Sequence, residues 1–355
     1  MEPIELLKRL VDIKSDCTAS NREVIDVISG LFAQYRREII PQAKSNTGMY
    51  NLIIKIKAKC KNKKKSFVFV MHTDTVKGKW FRKSVESEGK IIGLGSCDMK
   101  AGIAAVCTAV LEQDYERDIY LVFNSDEETS GLGANLTSAR LSVKDAIVIV
   151  PEPTSGKICI GQNSCVGYEI ATKGRSFHSS LNKDAAFNMK NNAISKMSKI
   201  ISFLNVNQKQ NKSIDSQNIG FIEGGITANV IPDYCKMKFE QRFKPISNTK
   251  FEIANSIKEL QRLGAVDIKL NFNGESFINN NKKLIDKFQK IVTKYYPATT
   301  GLFKAWSDAV IFRKSGSCFI FGPGNYEQAH QKGEYVKKSE VIMFKKIYQE
   351  LLTKM

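Results

Sequence analysis

The chain of 355 residues contains three histidines, and each stands in a phrase that could do chemistry. His72 lies in Met71-His72-Thr73-Asp74-Thr75, His178 in Ser176-Phe177-His178-Ser179-Ser180, and His330 in Gln328-Ala329-His330-Gln331. Imidazole is the commonest protein metal ligand and changes charge near neutral pH. Carboxylates accompany the histidines. Asp98 follows the glycine turn Gly93-Leu94-Gly95-Ser96-Cys97, Glu127 and Glu128 stand in Asp126-Glu127-Glu128-Thr129-Ser130-Gly131, and Glu152 stands in Pro151-Glu152-Pro153-Thr154. Gly322-Pro323-Gly324 precedes His330. A set of imidazoles and carboxylates suits zinc, cobalt or manganese better than copper or an iron–sulfur cluster.

Taken singly, each phrase has an ordinary reading. A histidine after a strand is commonly structural, an acidic pair is commonly a solvated turn, and Gly93-Leu94-Gly95 lacks the further glycine a phosphate loop requires. What argues for a site is their placement. Ser66–Met71, Ile119–Phe123 and Ala146–Val150 are near-continuous apolar runs, the pattern of strands covered on both faces. A helix is expected from Lys100 to about Gln113 and a shorter one near Gly133–Arg140. The polar phrases follow the ends of these strands, where open α/β sheets place their sites.

From about Val166 the texture changes. A strand at Gly167–Thr172, a long helix from Asp184 to Leu204, strands at Asn218–Ile222 and Cys235–Phe243, a helix at Lys250–Leu263 and a strand at Val266–Phe272 make a β-α-β-β-α-β, ferredoxin-like order. The α/β texture then resumes with a helix at Asn281–Tyr295, a strand at Cys318–Phe321 and a helix from Ser339. The expected architecture is α/β: a mostly parallel-sheet domain of residues 1–165 and 275–355 with helices on both faces, interrupted by a smaller α+β domain of residues 166–274.

Composition is that of a globular protein, with 42% hydrophobic and 25% charged residues. The eight cysteines form no C-x-x-C pair and read as reduced, mostly buried thiols of a cytoplasmic protein, Cys17 and Cys60 among them. Met1–Leu7 opens an amphipathic helix without a long apolar core, and no apolar run is long enough to span a membrane. The net charge of +18 raises a nucleic-acid-binding reading. The densest lysine run, Lys55–Lys65, is expected to be a solvated hairpin tip and has no aromatics to stack on bases. Nucleic acid is therefore not an expected partner.

The phrases of His72, Asp98, Glu127-Glu128, Glu152 and His330, in this order along the chain, resemble those of the dinuclear-zinc deacylases and exopeptidases that include acetylornithine deacetylase, succinyl-diaminopimelate desuccinylase, aminoacylase and glutamate carboxypeptidase. The resemblance covers nearly the whole chain, and the phrase from Gly322 through Gln331 to Glu334-Tyr335 is most similar to the acetylornithine deacetylase branch. It implies two divalent metal ions per subunit, zinc first with cobalt or manganese as alternatives. His72 and Glu152 would hold one ion, Glu128 and His330 the other, and Asp98 would bridge them. Glu127 would be the general base. Such a metal-activated water and a positioned acid–base are the chemistry of amide hydrolysis. Asp74 would orient the His72 imidazole.

The resemblance also gives His178 a place in the inserted domain as an oxyanion donor, reaching a partner's site in a homodimer formed through that domain. Asn229 and Arg242 resemble substrate-binding residues, the guanidinium suiting an α-carboxylate. Arg242 equally suits a structural ion pair. Gly322 and Gly324 would bring backbone close to substrate. Cys97 is expected to be neither ligand nor nucleophile. The implied reaction is removal of an acyl group from an N-acyl amino acid, N-acetylornithine first, in amino-acid biosynthesis. A desuccinylase, an acetyl-lysine or acetylcitrulline deacylase and a dipeptidase remain open, because Trp306 in Ala305-Trp306-Ser307-Asp308 replaces a small or hydroxyl residue. An inactive metal-binding homologue is disfavoured because no ligand and no base is missing.

Overall fold

The computed structural model describes residues 1–16, 18–42, 48–59, 64–78 and 83–355. Cys17, Cys60 and part of the lysine run lie outside the described residues. The chain divides into two compact units. The larger comprises Met1–Gly161, Asn279–Phe303 and Ser307–Met355, and the smaller comprises Gln162–Ile278 and Lys304–Trp306.

The larger unit is built on a mixed sheet. Its strand order is Arg36–Pro41, Tyr50–Ile56, Ile119–Asn124, Phe67–His72, Ala146–Pro153, Gly316–Gly322 and Ile158–Gln162, with Thr300–Phe303 beside the last. Four consecutive central strands, from Ile119–Asn124 to Gly316–Gly322, run parallel. The flanking pairs are antiparallel, so the parallel character expected for the sheet is confined to its centre. The central strands Phe67–His72, Ile119–Asn124 and Ala146–Pro153 are buried along their whole length, which is why they read as apolar runs rather than alternating ones.

Helices pack on both faces. Lys100–Leu111 is buried from Lys100 to Val110, an apolar surface all round that needs neighbours on every side. Pro3–Val11 and Lys338–Lys354 supply part of that cover, while Arg22–Leu31 and Leu132–Arg140 pack on the Tyr50–Ile56 strand. The strands that flank the lysine run do not form the expected hairpin with each other. Tyr50–Ile56 and Phe67–His72 lie on opposite sides of Ile119–Asn124 rather than beside each other.

The smaller unit is a four-stranded antiparallel sheet in the order Ile214–Gly224, Tyr234–Phe243, Cys165–Lys173, Ala265–Gly274. Both central strands thus come from different β-α-β halves, which is the ferredoxin-like arrangement read from the element order. Its core includes Tyr168, Met197, Ile200, Met237, Phe239 and Leu260, with Tyr168 and Phe239 stacked at 4.6 Å. The single helix expected from Asp184 to Leu204 is two, Ala185–Asn191 and Ala193–Gln210. Asn192 separates them in extended backbone, and its side chain caps the second helix at Ser195 N, a role asparagine performs better than helix propagation.

Candidate metal centre

The C-terminal ends of the parallel strands bring the predicted phrases together in the larger unit. His72 ends its strand opposite Asn124, after which the chain turns through Asp126 to Glu127 and Glu128. Glu152 lies at the end of Ala146–Pro153, and Asp98 lies two residues before the helix that starts at Lys100. The Asp98–Met99 peptide is cis. His330 enters from the C-terminal segment with φ of 61°, the left-handed region that non-glycine residues seldom occupy.

Asp98 is the centre of this cluster. Its Oδ1 lies 3.1 Å from His72 Nε2 and its Oδ2 lies 3.4 Å from His330 Nε2. Glu152 Oε2 lies 3.7 Å from His72 Nε2, and Glu128 Oε1 lies 3.0 Å from His330 Nε2. Ligand atoms therefore converge in two sets sharing Asp98: His72, Asp98, Glu152 and Asp98, Glu128, His330. Glu127 joins His72 and Glu128 in a third convergent set.

The tautomer of His72 is set from behind. Its Nδ1 lies 2.9 Å from the main-chain carbonyl of Asp74, which accepts the Nδ1–H and leaves Nε2 facing Asp98 and Glu152. The Asp74 carboxylate is farther, at 3.8 Å. It instead accepts the backbone N–H groups of Glu127 at 3.3 Å and Glu128 at 3.1 Å. Asp74 thus orients His72 through its carbonyl and holds the double-glutamate turn through its side chain.

The electrostatics suit a dication. Burial disfavours charge on His72, yet Glu152 and Asp98 raise its pKa well above the ordinary value. Hydrogen bonds to Asp98 and Glu128 raise His330 to about 10. Burial pushes Asp98 upward, but the two histidines hold it well below the usual carboxylate range. Burial and the nearby Asp98 push Glu152 up to about 8, and desolvation pushes Glu127 well up. Among the described residues, the ion pairs of Asp98, Glu128 and Glu152 are with the two histidines alone. Four carboxylates facing two imidazoles, with no lysine or arginine paired to them, are a donor set that divalent metal ions fit.

Three contributors went unrecognised in the sequence reading. Buried Glu334 accepts the backbone N–H groups of Gly95, Cys97 and Asp98. Buried Asp308 accepts from Asn124 at 2.8 Å and is raised to about 7 by burial. Buried Lys100 donates to Ile13 O at 3.0 Å and is lowered to about 8 by burial. Each belongs to a phrase that was read, but buried charge has no periodic signature. Among the described residues all six cysteines are unpaired and buried. Burial raises the Cys97 thiol far from any reactive state.

Gly322 and Gly324 have packing reasons. A Cβ on Gly322 would lie 2.2 Å from Pro151 O, and one on Gly324, at φ of 96°, would lie 2.5 Å from Cys97 Sγ. The Gly324 amide donates to Glu340 at 3.0 Å.

Within the smaller unit, His178 and Asn229 are neighbours. Ser179 N donates to Asn229 O at 2.9 Å and Ile231 N donates to Phe177 O at 2.8 Å. His178 is exposed. Its Nδ1 accepts from Ser180 N at 3.3 Å and lies 2.8 Å from Ser180 Oγ. Arg242 pairs with Glu240 through Nε at 3.1 Å, while its second guanidinium nitrogen is buried without a partner among the described residues. Trp306 packs edge-on to Phe272 at 5.2 Å, with its indole nitrogen buried and without a partner among the described residues.

Residues 68–354 match Peptidase family M20/M25/M40. Acetylornithine deacetylase of Buchnera aphidicola subsp. Schizaphis graminum is 28% identical, over 94% of this chain and 91% of that protein. An uncharacterized metallohydrolase of Methanocaldococcus jannaschii is 27% identical over 96% and 94%. Among solved structures, a tripeptidase from Staphylococcus aureus superposes with TM-score 0.82 at 19% identity, covering 99% of this chain and 97% of that one. Aminopeptidase PepT from Bacillus cereus gives 0.77 at 19% identity with the same coverage. The chain belongs to the M20 peptidase family and is a metal-dependent hydrolase acting on amide bonds. Members of this family use divalent metals. No helix among the described residues is long and apolar enough to cross a membrane.

Proposed function

We propose that the protein removes an acyl group, acetyl first, from an N-acyl amino acid of which N-acetylornithine is the leading candidate. The observation that carries the reading is the division of Asp98, with one oxygen toward His72 and the other toward His330. In this reading His72, Asp98 and Glu152 would hold one divalent ion, and Asp98, Glu128 and His330 would hold a second, zinc before cobalt or manganese. A pair of such ions lowers the pKa of water and polarises an amide carbonyl.

The protein's own residues do the rest. Glu127, raised by desolvation, takes the proton of the attacking water and delivers it to the departing amine, so the amide C–N bond breaks without releasing an amide anion. Asp74 keeps that turn in place. His178 supplies an Nε2–H donor to the developing oxyanion, with Asn229 as its neighbour. The unpartnered guanidinium nitrogen of Arg242 suits the substrate α-carboxylate. Gly322 and Gly324 shape the wall beside His330. The smaller unit serves as a lid and as the contact of a cytoplasmic homodimer.

The acetylornithine deacetylase relatives support the acyl-amino-acid choice over a dipeptide. The test is metal-reconstituted protein on a panel of N-acetyl amino acids, N-succinyl amino acids and dipeptides. Amine release from N-acetyl substrates is expected. No release from any member, or a Glu127→Gln variant as active as the wild type, would overturn the mechanism. A strict monomer in solution would overturn the dimeric role of His178.

A further inference from the structure

We infer that Glu334 is a positioning residue for the reaction: it sets the Asp98 carboxylate and ties it to the segment that carries His330. The inference rests on the ligand assignment proposed above, in which Asp98 is shared by both halves of the centre.

Glu334 is 1% exposed. Its Oε1 accepts the N–H groups of Cys97 at 2.8 Å and Asp98 at 2.9 Å, and its Oε2 accepts that of Gly95 at 2.9 Å. Its main-chain carbonyl accepts Gly93 N at 2.9 Å and Ser96 Oγ at 3.2 Å. One residue therefore organises the whole turn from Gly93 to Asp98. Such a ring of amide groups around a carboxylate is the geometry of an anion-binding nest, here filled by the protein's own side chain. Without it, buried N–H groups would lose their partners.

The other end of the clasp reaches His330. Glu334 N donates to Gln331 O at 3.1 Å, closing the turn that follows the histidine. Tyr335 then pairs with Ile92 in a short antiparallel ladder, and Cys97 Sγ contacts Asn325 O at 3.3 Å. Glu334 does not touch the ligand oxygens. It acts on the Asp98 backbone, so a shift there moves both carboxylate oxygens together and disturbs the sides facing His72 and His330 at once.

Glu334→Gln keeps the shape but presents an NH₂ group to backbone donors on one side, whereas Glu334→Asp keeps the charge. The readouts are zinc affinity by chelator competition and the absorption spectrum of the Co²⁺-substituted protein, both at a temperature where each variant is fully folded. The expected result is zinc binding about 10–100-fold weaker in Glu334→Gln, an altered Co²⁺ spectrum, and partial recovery in Glu334→Asp. Leu260→Ala, a core change in the smaller unit, should lower stability and leave zinc affinity unchanged. A folded Glu334→Gln that binds zinc with wild-type affinity and spectrum overturns the inference. Wild-type zinc affinity in Asp98→Asn would instead overturn the ligand assignment itself, which separates the two failures.

Discussion

Asp74 and Glu128 are joined side chain to main chain: the Asp74 carboxylate accepts the Glu128 N–H at 3.1 Å. Because Glu127 N is also bound to that carboxylate, Asp74→Asn should misplace the turn carrying the base while His72 keeps its carbonyl partner. The expected loss is about 10–100-fold in turnover per bound ion, with metal affinity also weakened because the same carboxylate holds the Glu128 main chain. Steady-state kinetics beside metal analysis checks this, and a large loss of metal with unchanged turnover per bound ion would contradict it.

Under the proposed mechanism, replacing Glu127 with Gln removes the proton acceptor and leaves its volume. The turnover number should fall by about 10²–10⁴-fold, with KM little changed and both ions still bound. Stopped assays on the preferred N-acyl amino acid, at equal metal loading, measure it.

Metal uptake should release protons. His330 is raised to about 10 in the metal-free cluster, so at pH 8 it carries a proton that ligation must displace. Apparent affinity should therefore rise with pH through the neutral range. Calorimetry of zinc binding in buffers of different ionisation enthalpy reads the proton count, and a count of zero at pH 8 would contradict the ligand role of His330.

Acid stability should show the network around Glu350. Hydrogen bonds from Lys294 and Lys354 lower its carboxyl to about 2, against an ordinary value near 4.5. Between these values the unfolded chain binds more protons than the folded one, so stability falls as pH drops through the window. Glu350→Gln should be less stable than wild type at pH 6, and the gap should close as pH approaches 2. Urea titrations at several pH values check the sign.

The larger domain was legible because its central strands are buried on both faces and so read as apolar runs ending in polar phrases at Met71, Phe123 and Val150. The smaller unit was legible from element order alone. The break at Asn192 was missed because Asn191-Asn192 lies between two helix-forming stretches and its cap depends on one side-chain contact. The hairpin expected of the strands flanking the lysine run does not form, because strand adjacency is a long-range property. Tyr50–Ile56 and Phe67–His72 are neighbours in sequence but each pairs with Ile119–Asn124.

The histidine and carboxylate phrases, their order and their strand-end positions belong to the sequence itself, since residue chemistry and apolar periodicity are local. Only the tertiary structure could decide that His72 and His330 meet opposite oxygens of one aspartate. Only it could show that Asp74 works through two different atoms and that Glu334 clasps the Asp98 turn. Those relationships depend on closing long loops into one cluster, where a carboxylate finds whichever N–H groups the fold has left without partners.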